Sequence, residues 1–317
     1  MNKKTLALTL KFVISGSLIW YLLKNIDLNS VWDRMLGANS IDLAAAGFIL
    51  SIQIFISVFR WRTVMMAIHA VLPYWQCLRI FLVGVFFNQV LPSSVGGDAV
   101  RIYKTFQAGL TVREAIHGIM LERVVTVLGL LILATAASPF FHSQIAQYDA
   151  NFMVSFSALM LGAGITGTVI LMFLDRLPRR FRSWKIVTAM SEFASDTRRI
   201  FLSPSHASKA LGWSLLGHFA ITACVYYIAK SIGINVSMLD CMVLMPPVML
   251  ITTLPISIAG WGVREGAMVT AFILVGVGAD DALALSIIYG ILSILVGIPG
   301  SIIWLFMTDK KIEDIAS

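Results

Sequence analysis

Two eleven-residue segments, one in each half of the 317-residue chain, combine turn-forming residues with an arginine. Residues 91–101 read LPSSVGGDAVR and residues 254–264 read LPISIAGWGVR, and they agree at Leu, Pro, Ser, Gly, Val and Arg positions. A helix N-terminus attracts anions through its free backbone N–H groups, and a guanidinium group adds a full charge and a planar set of donors. Arg101 and Arg264 are therefore predicted to bind a phosphate-sized anion at the start of two helices.

The neighbours of the two arginines predict how each segment is built. Pro92 and Pro255 end the preceding helix, because proline lacks an N–H group and disfavours helical geometry one residue earlier. Glycines in both segments permit a tight reversal with close approach of the backbone. We expect Asp98 to cap the helix that follows in the first segment. In the second segment the helix is expected to start at Gly262 without a side-chain cap. The predicted anion-binding residues are Ser94, Gly96, Gly97, Asp98, Arg101, Ser257, Gly260, Trp261 and Arg264.

Three further charged residues lie among apolar neighbours and offer charge pairing or ion coupling. Glu122 and Arg123 fall inside a long apolar stretch, and Glu265 follows Arg264 directly. An ionisable residue inside a membrane is costly and marks a function or a specific pairing. Two interpretations stay open: the arginines line a functional cavity, or carboxylates neutralise them structurally. Glu122 fits a salt bridge to an arginine and a proton-coupling role equally well.

The composition is that of an integral membrane protein. Hydrophobic residues make up 58% of the chain and charged residues 13%, against roughly 25% in ordinary soluble domains. The excess of Lys and Arg over Asp and Glu, 24 against 17, is interpreted as charge that sets membrane topology rather than as a nucleic-acid surface. The three cysteines are predicted to be packing residues, and we expect neither a metal site nor a cofactor.

Apolar stretches of about 20 residues predict six spanning helices. They lie near 5–23, 43–59 (with 43–68 as the longer alternative), 115–137, 152–174, 210–230 and 283–307. Segment 175–209 is rich in Lys and Arg, which places it and both termini on the cytoplasmic side. The sequence therefore predicts a multi-pass protein of the bacterial inner membrane.

Tracing the chain through these spans leaves two segments that begin and end on the same side. Residues 74–114 start and finish inside, and residues 238–282 start and finish outside. We therefore predict an all-α fold of six spans plus two oppositely oriented re-entrant helical hairpins, an inverted repeat typical of secondary transporters. The alternative is that both legs of each hairpin cross fully. The single domain, 1–317, is predicted to hold repeats at about 43–174 and 210–307, joined by a basic cytoplasmic loop at 175–209.

The repeat continues beyond the two segments, where residues 109–123 align with residues 276–290. The alignment pairs Gly109 with Gly276, Ala115 with Ala282, Glu122 with Tyr289 and Arg123 with Gly290. The two halves are thus predicted to share a fold without sharing their charges.

The strings FNQVLPSSVGGDAVRIY, GLTVREAIHGIMLERVV and LPISIAGWGVREGA resemble the flippase-like family, also called the lysylphosphatidylglycerol synthase transmembrane region. The resemblance covers roughly residues 10–307. It implies a lipid-translocating domain, related to the half of bifunctional synthases that moves aminoacylated phosphatidylglycerol between leaflets. Those synthases carry a soluble aminoacyltransferase domain after the membrane part; this sequence ends at residue 317, so we expect no lysylphosphatidylglycerol synthesis. The family pattern falls on Pro92, Gly96, Gly97, Asp98, Arg101, Glu122, Arg123, Pro255, Gly260, Trp261, Gly262, Arg264 and Glu265.

The sequence and the resemblance together predict a non-enzymatic translocase. Its partner is expected to be an anionic phospholipid or a polyprenyl-phosphate-linked lipid, with a homo-oligomer kept as an option. The headgroup phosphate is expected between the two hairpin tips, in one pocket shared by Arg101 and Arg264. The alternatives are a membrane-embedded lipid-modifying enzyme, using Asp98, Glu122 and Glu265, and an accessory subunit of a glycosyltransferase pathway.

Overall fold

A computed structural model describes residues 28–91, 96–143, 150–176, 185–253 and 261–307. Within these ranges the chain forms eleven α-helices, and short 3-10 turns at Ser138–Ser143 and Leu174–Arg176. The helices are α1 (Leu28–Leu36), α2 (Ser40–Ala67), α3 (Tyr74–Val90), α4 (Gly96–Gln107), α5 (Val112–Ala137), α6 (Ala150–Met172), α7 (Lys185–Phe201), α8 (Pro204–Ser231), α9 (Met238–Thr253), α10 (Val263–Ile273) and α11 (Ala279–Phe306).

Five helices in the described ranges are long and apolar enough to cross a membrane, namely α2, α5, α6, α8 and α11. Each overlaps one of the five spans predicted beyond residue 28, so the chain is an all-helical, multi-pass membrane protein in the part described. The span predicted at 5–23 lies outside the described residues, and the total of six stays a prediction. The two hairpins stay a prediction as well: their legs α3 and α9, of 17 and 16 residues, reach about 25 Å at the helical rise.

Helix α2 has the longer of the two extents considered from the sequence. It begins after Asn39, whose side-chain oxygen accepts from the backbone N–H of Ile41, and it continues to Ala67, close to residue 68. The shorter extent, ending near 59, would have placed Arg60 beyond the membrane. In the structure Arg60 is a buried residue two turns inside the helix.

The segment predicted as a basic loop, 175–209, contains helix α7 and the start of α8. Pro204 occupies the first turn of α8, where its missing N–H costs nothing. Arg198 of α7 donates to both carboxylate oxygens of Asp175, at 2.8 and 2.7 Å. These hydrogen bonds lower the pKa of Asp175 below its usual value. A second contact joins α7 to α5, where His117 Nδ1 lies 2.7 Å from Asp196 Oδ2.

Helices α2–α5 and α8–α11 form two series with matching lengths and turns. Helices α2 and α8 each have 28 residues, and each leads into a left-handed residue, His69 with φ 62° or Gly233 with φ 75°. Gly109 and Gly276, aligned from the sequence, both have positive φ, 98° and 81°, at the turn before the last helix of each series. In the described chain α6 has no counterpart after α11.

The two series run in opposite directions where they meet. At one end of the α2–α8 pair, the Asn39 N–H donates to the Ser231 carbonyl at 2.7 Å. At the other end the rings of Phe59 and Trp213 stack with centroids 5.1 Å apart. The start of α2 thus contacts the end of α8, and the two equivalent helices are antiparallel, as in transporters built from inverted repeats.

Close helix crossings hold the series together. A Cβ atom on Gly300 of α11 would lie 2.0 Å from the Leu82 carbonyl of α3, so only glycine allows this approach. Small residues at such crossings let membrane helices gain packing contacts that lipid does not provide. Two apolar clusters are buried, one around Phe272 and mainly from the second series, the other around Trp61 and mainly from the first.

Candidate functional site

A cavity of about 580 Å³ lies where the two series meet. Its wall comes from α2, α3, α4 and α5 of the first series and from α8 and α9 of the second. The ionisable residues on the wall are Arg60, Asp98, Arg101, Glu122, Arg123 and His218. Four of these six were singled out from the sequence, and the structure brings those four together.

Glu122 joins two arginines from different helices. Its Oε2 accepts from Arg101 Nη2 at 2.6 Å, and its Oε1 accepts from Arg60 Nη2 at 3.0 Å. All three residues are buried. The salt-bridge alternative for Glu122 is therefore the arrangement observed, and the carboxylate links α2, α4 and α5.

Asp98 joins a second pair of arginines. Its Oδ1 accepts from Arg101 Nη1 at 3.3 Å, and its Oδ2 accepts from Arg123 Nε and Nη2 at 2.8 and 2.7 Å. Asp98 is the third residue of α4, so the predicted N-cap role is wrong. The carboxylate neutralises side chains across the cavity wall rather than backbone N–H groups.

Arg101 is held rigidly in this cluster. Its Cζ atom lies 4.5 Å from the ring centroid of Trp61 and 4.5 Å from that of Phe81, within the range of cation–π attraction. The stem of the side chain passes over Gly84, where a Cβ atom would lie 2.5 Å from Arg101 Cγ. Both carboxylates thus bind a guanidinium group whose position is set by packing.

The start of α4 depends on glycine. Gly97 N–H donates to Asn88 Oδ1 at 2.9 Å, and a Cβ atom on Gly97 would lie 2.0 Å from the Gly84 carbonyl. This is the close backbone approach predicted from the sequence. Gly96 opens the helix and is buried, while Ser94 lies outside the described residues.

The cluster carries one more positive charge than negative charges. Arg60, Arg101 and Arg123 face two carboxylates, those of Asp98 and Glu122. Arg123 is the accessible cation, because its side chain is 45% exposed whereas those of Arg60 and Arg101 are 8% and 5% exposed. An uncompensated charge inside a membrane helix is costly unless it meets an anion.

His218 contributes a polar group from the second series. Its Nε2 donates to the Thr126 carbonyl at 2.9 Å, and its buried Nδ1 has no hydrogen-bond partner in the structure. The contact is the helix–helix hydrogen bond that an apolar sequence context favours for histidine. It brings α8 against the polar part of the cavity wall.

Arg264 lies in a separate cluster and not on the wall of this cavity. Its Nη2 donates to Glu265 Oε1 at 2.6 Å, and its Cζ lies 4.8 Å from the Trp261 ring centroid. Glu265 Oε2 in turn accepts from the N–H of Gly262, which caps α10 with φ 80°. Among the described residues, Arg264 therefore shares no cavity wall with Arg101 and forms its ion pair with the adjacent carboxylate instead. Ser257 and Gly260 lie outside the described residues.

The two arginines nevertheless occupy equivalent places. Arg101 contacts Glu122, and Arg264 Cζ lies 5.7 Å from the ring centroid of Tyr289, the residue aligned with Glu122. Gly290, aligned with Arg123, leaves room for Arg264, since a Cβ atom there would lie 2.4 Å from Arg264 Nη2. The position of the arginine is thus repeated in the second series, whereas the charges at the positions of Glu122 and Arg123 are not.

Comparison with known proteins shows which family the chain belongs to. The sequence model of the family described as "Lysylphosphatidylglycerol synthase TM region" matches residues 8–300. The chain belongs to this family. A protein from Methanothermobacter thermautotrophicus, named "UPF0104 membrane protein", is 20% identical over 288 residues, and the match covers 80% of each chain.

The sequence did not identify two of the residues that line the cavity, Arg60 and His218. A signal for Arg60 was present: the largely apolar pattern continues past it to residue 68, and an arginine inside a spanning helix is costly unless it is paired. For His218 the apolar context indicated a helix–helix hydrogen bond, which is observed, but it gave no sign that the residue lines a cavity.

Proposed function

We propose that this protein moves an anionic lipid between the two leaflets of a membrane. The headgroup phosphate enters the cavity beside Arg123, and the hydrocarbon tail stays among the lipids. The observation that carries the proposal is the excess positive charge of the arginine cluster, placed in a cavity between two antiparallel helix series. Membership of a family named for a lipid synthase membrane region supports a lipid as the substrate.

Phosphate suits this site by charge and by hydrogen bonding. One phosphodiester carries one negative charge, which balances the excess charge of the cluster. Guanidinium–phosphate hydrogen bonds are charge-assisted, and Arg123 has the exposure to form them. A phospholipid such as phosphatidylglycerol and a polyprenyl-phosphate-linked lipid both meet this requirement.

The placement of the cavity suits alternating access. Its wall combines helices of both series, so a rocking of one series against the other would open the cavity towards either side. Thr252 and Thr253 on the wall close helix α9, immediately before the second sequence segment. We place the protein in a bacterial inner membrane with both termini in the cytoplasm, with transport driven by a gradient or by lipid supply.

Leaflet exchange in reconstituted vesicles tests the proposal. Fluorescent phosphatidylglycerol in the inner leaflet is protected from a membrane-impermeant reductant unless it is exchanged. We expect the native protein to remove that protection and Arg123→Gln to slow the exchange about tenfold or more, since a charge-assisted hydrogen bond contributes about 1.5–3 kcal/mol. The substitution also leaves the cluster neutral.

Arg113→Gln is the matched control, because Arg113 lies on the same helix but pairs with Glu192 away from the cavity. We expect this variant to exchange lipid at the native rate. Exchange by the native protein no faster than in empty vesicles would overturn the proposal. So would an equal rate for fluorescent phosphatidylcholine, which has no net charge. We propose further that the protein leaves the lipid chemically unchanged; a changed mass in the recovered lipid would favour the lipid-modifying alternative.

A further inference from the structure

A second hollow, of about 460 Å³, lies between α5 and α6 on the outside of the bundle. Its walls are apolar except for Arg123 at one side and Thr168. They include Arg123, Val124 and Val127 of α5 and Gly164, Gly167 and Leu171 of α6.

This hollow and the polar cavity share part of their walls. Arg123 and Val127 line both. The guanidinium group of Arg123 therefore lies where a polar space meets an apolar one. A lipid with an anionic headgroup and a hydrocarbon chain is polar and apolar in the same arrangement.

The depth of the hollow comes from α6. A Cβ atom on Gly167 would meet no atom within 4 Å, so the missing side chain leaves open space between the helices. Helix α6 is little covered by the rest of the protein, and Leu159 and Ile170 are exposed along it. The hollow is thus open to the hydrocarbon phase of a membrane.

We propose that the α5–α6 hollow binds one hydrocarbon chain of the same anionic lipid whose phosphate contacts Arg123. This inference rests on the function proposed above and adds a chain-binding site to it. Leu128 and Thr168 continue from this hollow into a smaller one of about 230 Å³, which extends towards Phe201 and Leu211. The chain leaves the headgroup at Arg123 and follows α5 and α6.

Two contacts with one lipid give the protein a way to select its substrate. The cluster at Arg123 selects for negative charge, and the hollow selects for a chain that reaches Gly167 and Thr168. A soluble phosphate ester offers only the first contact, so it binds more weakly than a full-length lipid.

Photo-labelling with phosphatidylglycerol that carries a diazirine in the middle of one chain tests this proposal. The protein is placed in phosphatidylcholine nanodiscs, irradiated and digested, and the labelled peptides are mapped by mass spectrometry. We expect labelling on residues 124–128 and 164–171. Gly167→Phe fills the hollow and is expected to lower that labelling by about tenfold, and Arg123→Gln to lower it as well.

Gly162→Phe is the control, because Gly162 is also a glycine of α6 with no atom within 4 Å of a Cβ, but it lines neither hollow. Its labelling should equal that of the native protein. The same labelling in Gly167→Phe as in the native protein overturns the proposal. Equal labelling by a phosphatidylcholine probe with the same diazirine also overturns it, since that result describes surrounding bulk lipid.

Combining this measurement with leaflet exchange separates the two proposals. Gly167-dependent labelling by a protein that exchanges no lipid supports the chain site and overturns translocation. If the protein exchanges lipid and Gly167→Phe does not change the labelling, translocation is supported and the chain site is overturned. Gly167→Leu, a smaller substitution that should give an intermediate loss of labelling, guards against misfolding of the phenylalanine variant.

Discussion

Arg101 and Glu122 form the shortest contact of the cavity cluster, 2.6 Å between Nη2 and Oε2, with both side chains almost fully buried. Their pairing joins the first helix turn after the LPSSVGG segment to the middle of a long apolar helix. Arg60 occupies the other oxygen of the same carboxylate at 3.0 Å. The carboxylate of Glu122 is thus the central element of the cluster, and its removal affects three helices at once.

Glu122→Gln is expected to destabilise the protein strongly. The substitution leaves two buried arginines short of a counter-charge, and breaking a buried ion pair from one side costs about 3–5 kcal/mol. The free energy of unfolding, measured by denaturing detergent titration, checks this. The comparison variant is Glu192→Gln, which breaks the exposed pair with Arg113 and should cost about 0–1 kcal/mol. Equal losses in the two variants would contradict the central role of Glu122.

Arg264→Gln is expected to separate stability from transport. It leaves the buried Glu265 without its cation, so the free energy of unfolding should fall by about 3 kcal/mol or more. Because Arg264 does not line the cavity, exchange of phosphatidylglycerol per folded molecule should stay at the native level. Arg123→Gln should show the converse, with slower exchange and a smaller loss of stability. A selective loss of exchange in Arg264→Gln would restore the shared pocket predicted from the sequence.

Gly97→Ala is expected to disturb the cavity through the backbone. The added methyl group would collide with the Gly84 carbonyl, and forced overpacking costs about 1–3 kcal/mol. The shift moves Asp98 and Arg101, so phosphatidylglycerol exchange should fall together with thermal stability. Gly266→Ala in the equivalent helix α10 is the control, since its Cβ meets no atom within 4 Å. A Gly97→Ala protein with native stability would show that the α3–α4 crossing tolerates a side chain.

The Asp175–Arg198 pair is expected to make the anchoring of α7 sensitive to acid. The folded-state pKa of Asp175 lies below the unfolded value of about 3.9, so its stabilisation is complete above about pH 4. It is lost only as the pH falls through the lower folded-state pKa. Amide hydrogen exchange in residues 190–201, corrected for intrinsic rates, should therefore accelerate on strong acidification. In Asp175→Asn the faster exchange should already be present at neutral pH, and a native-like rate there would contradict the anchoring role.

The sequence alone was sufficient to predict the repeated elements. Gly109 and Gly276 could be aligned because a left-handed turn requires glycine at the same place in each series, and the structure gives both a positive φ. The five described spans followed from apolar length, which a bilayer imposes on any helix that crosses it.

The charge pairing could not be predicted from the same information. Whether an arginine faces a cavity or a carboxylate depends on distances between helices far apart in sequence, as with Arg60 and Glu122. Arg101 and Arg264 have the same local motif, yet Glu265 lies within reach of only one of them. The local repeat therefore predicted equivalent positions for the two arginines, and in the described residues only Arg101 lines the cavity.

The second series has Tyr289 and Gly290 where the first has Glu122 and Arg123, and this difference bears on how many headgroups the proposed transporter would bind. A molecule made of two identical series would carry the arginine cluster twice, in opposite orientations, and could hold two headgroups at the same time. In the described chain the second series keeps an arginine, Arg264, but pairs it with the carboxylate of Glu265, so that only the first series has an excess positive charge. If the protein transports an anionic lipid as proposed, one polypeptide is expected to bind one headgroup at a time.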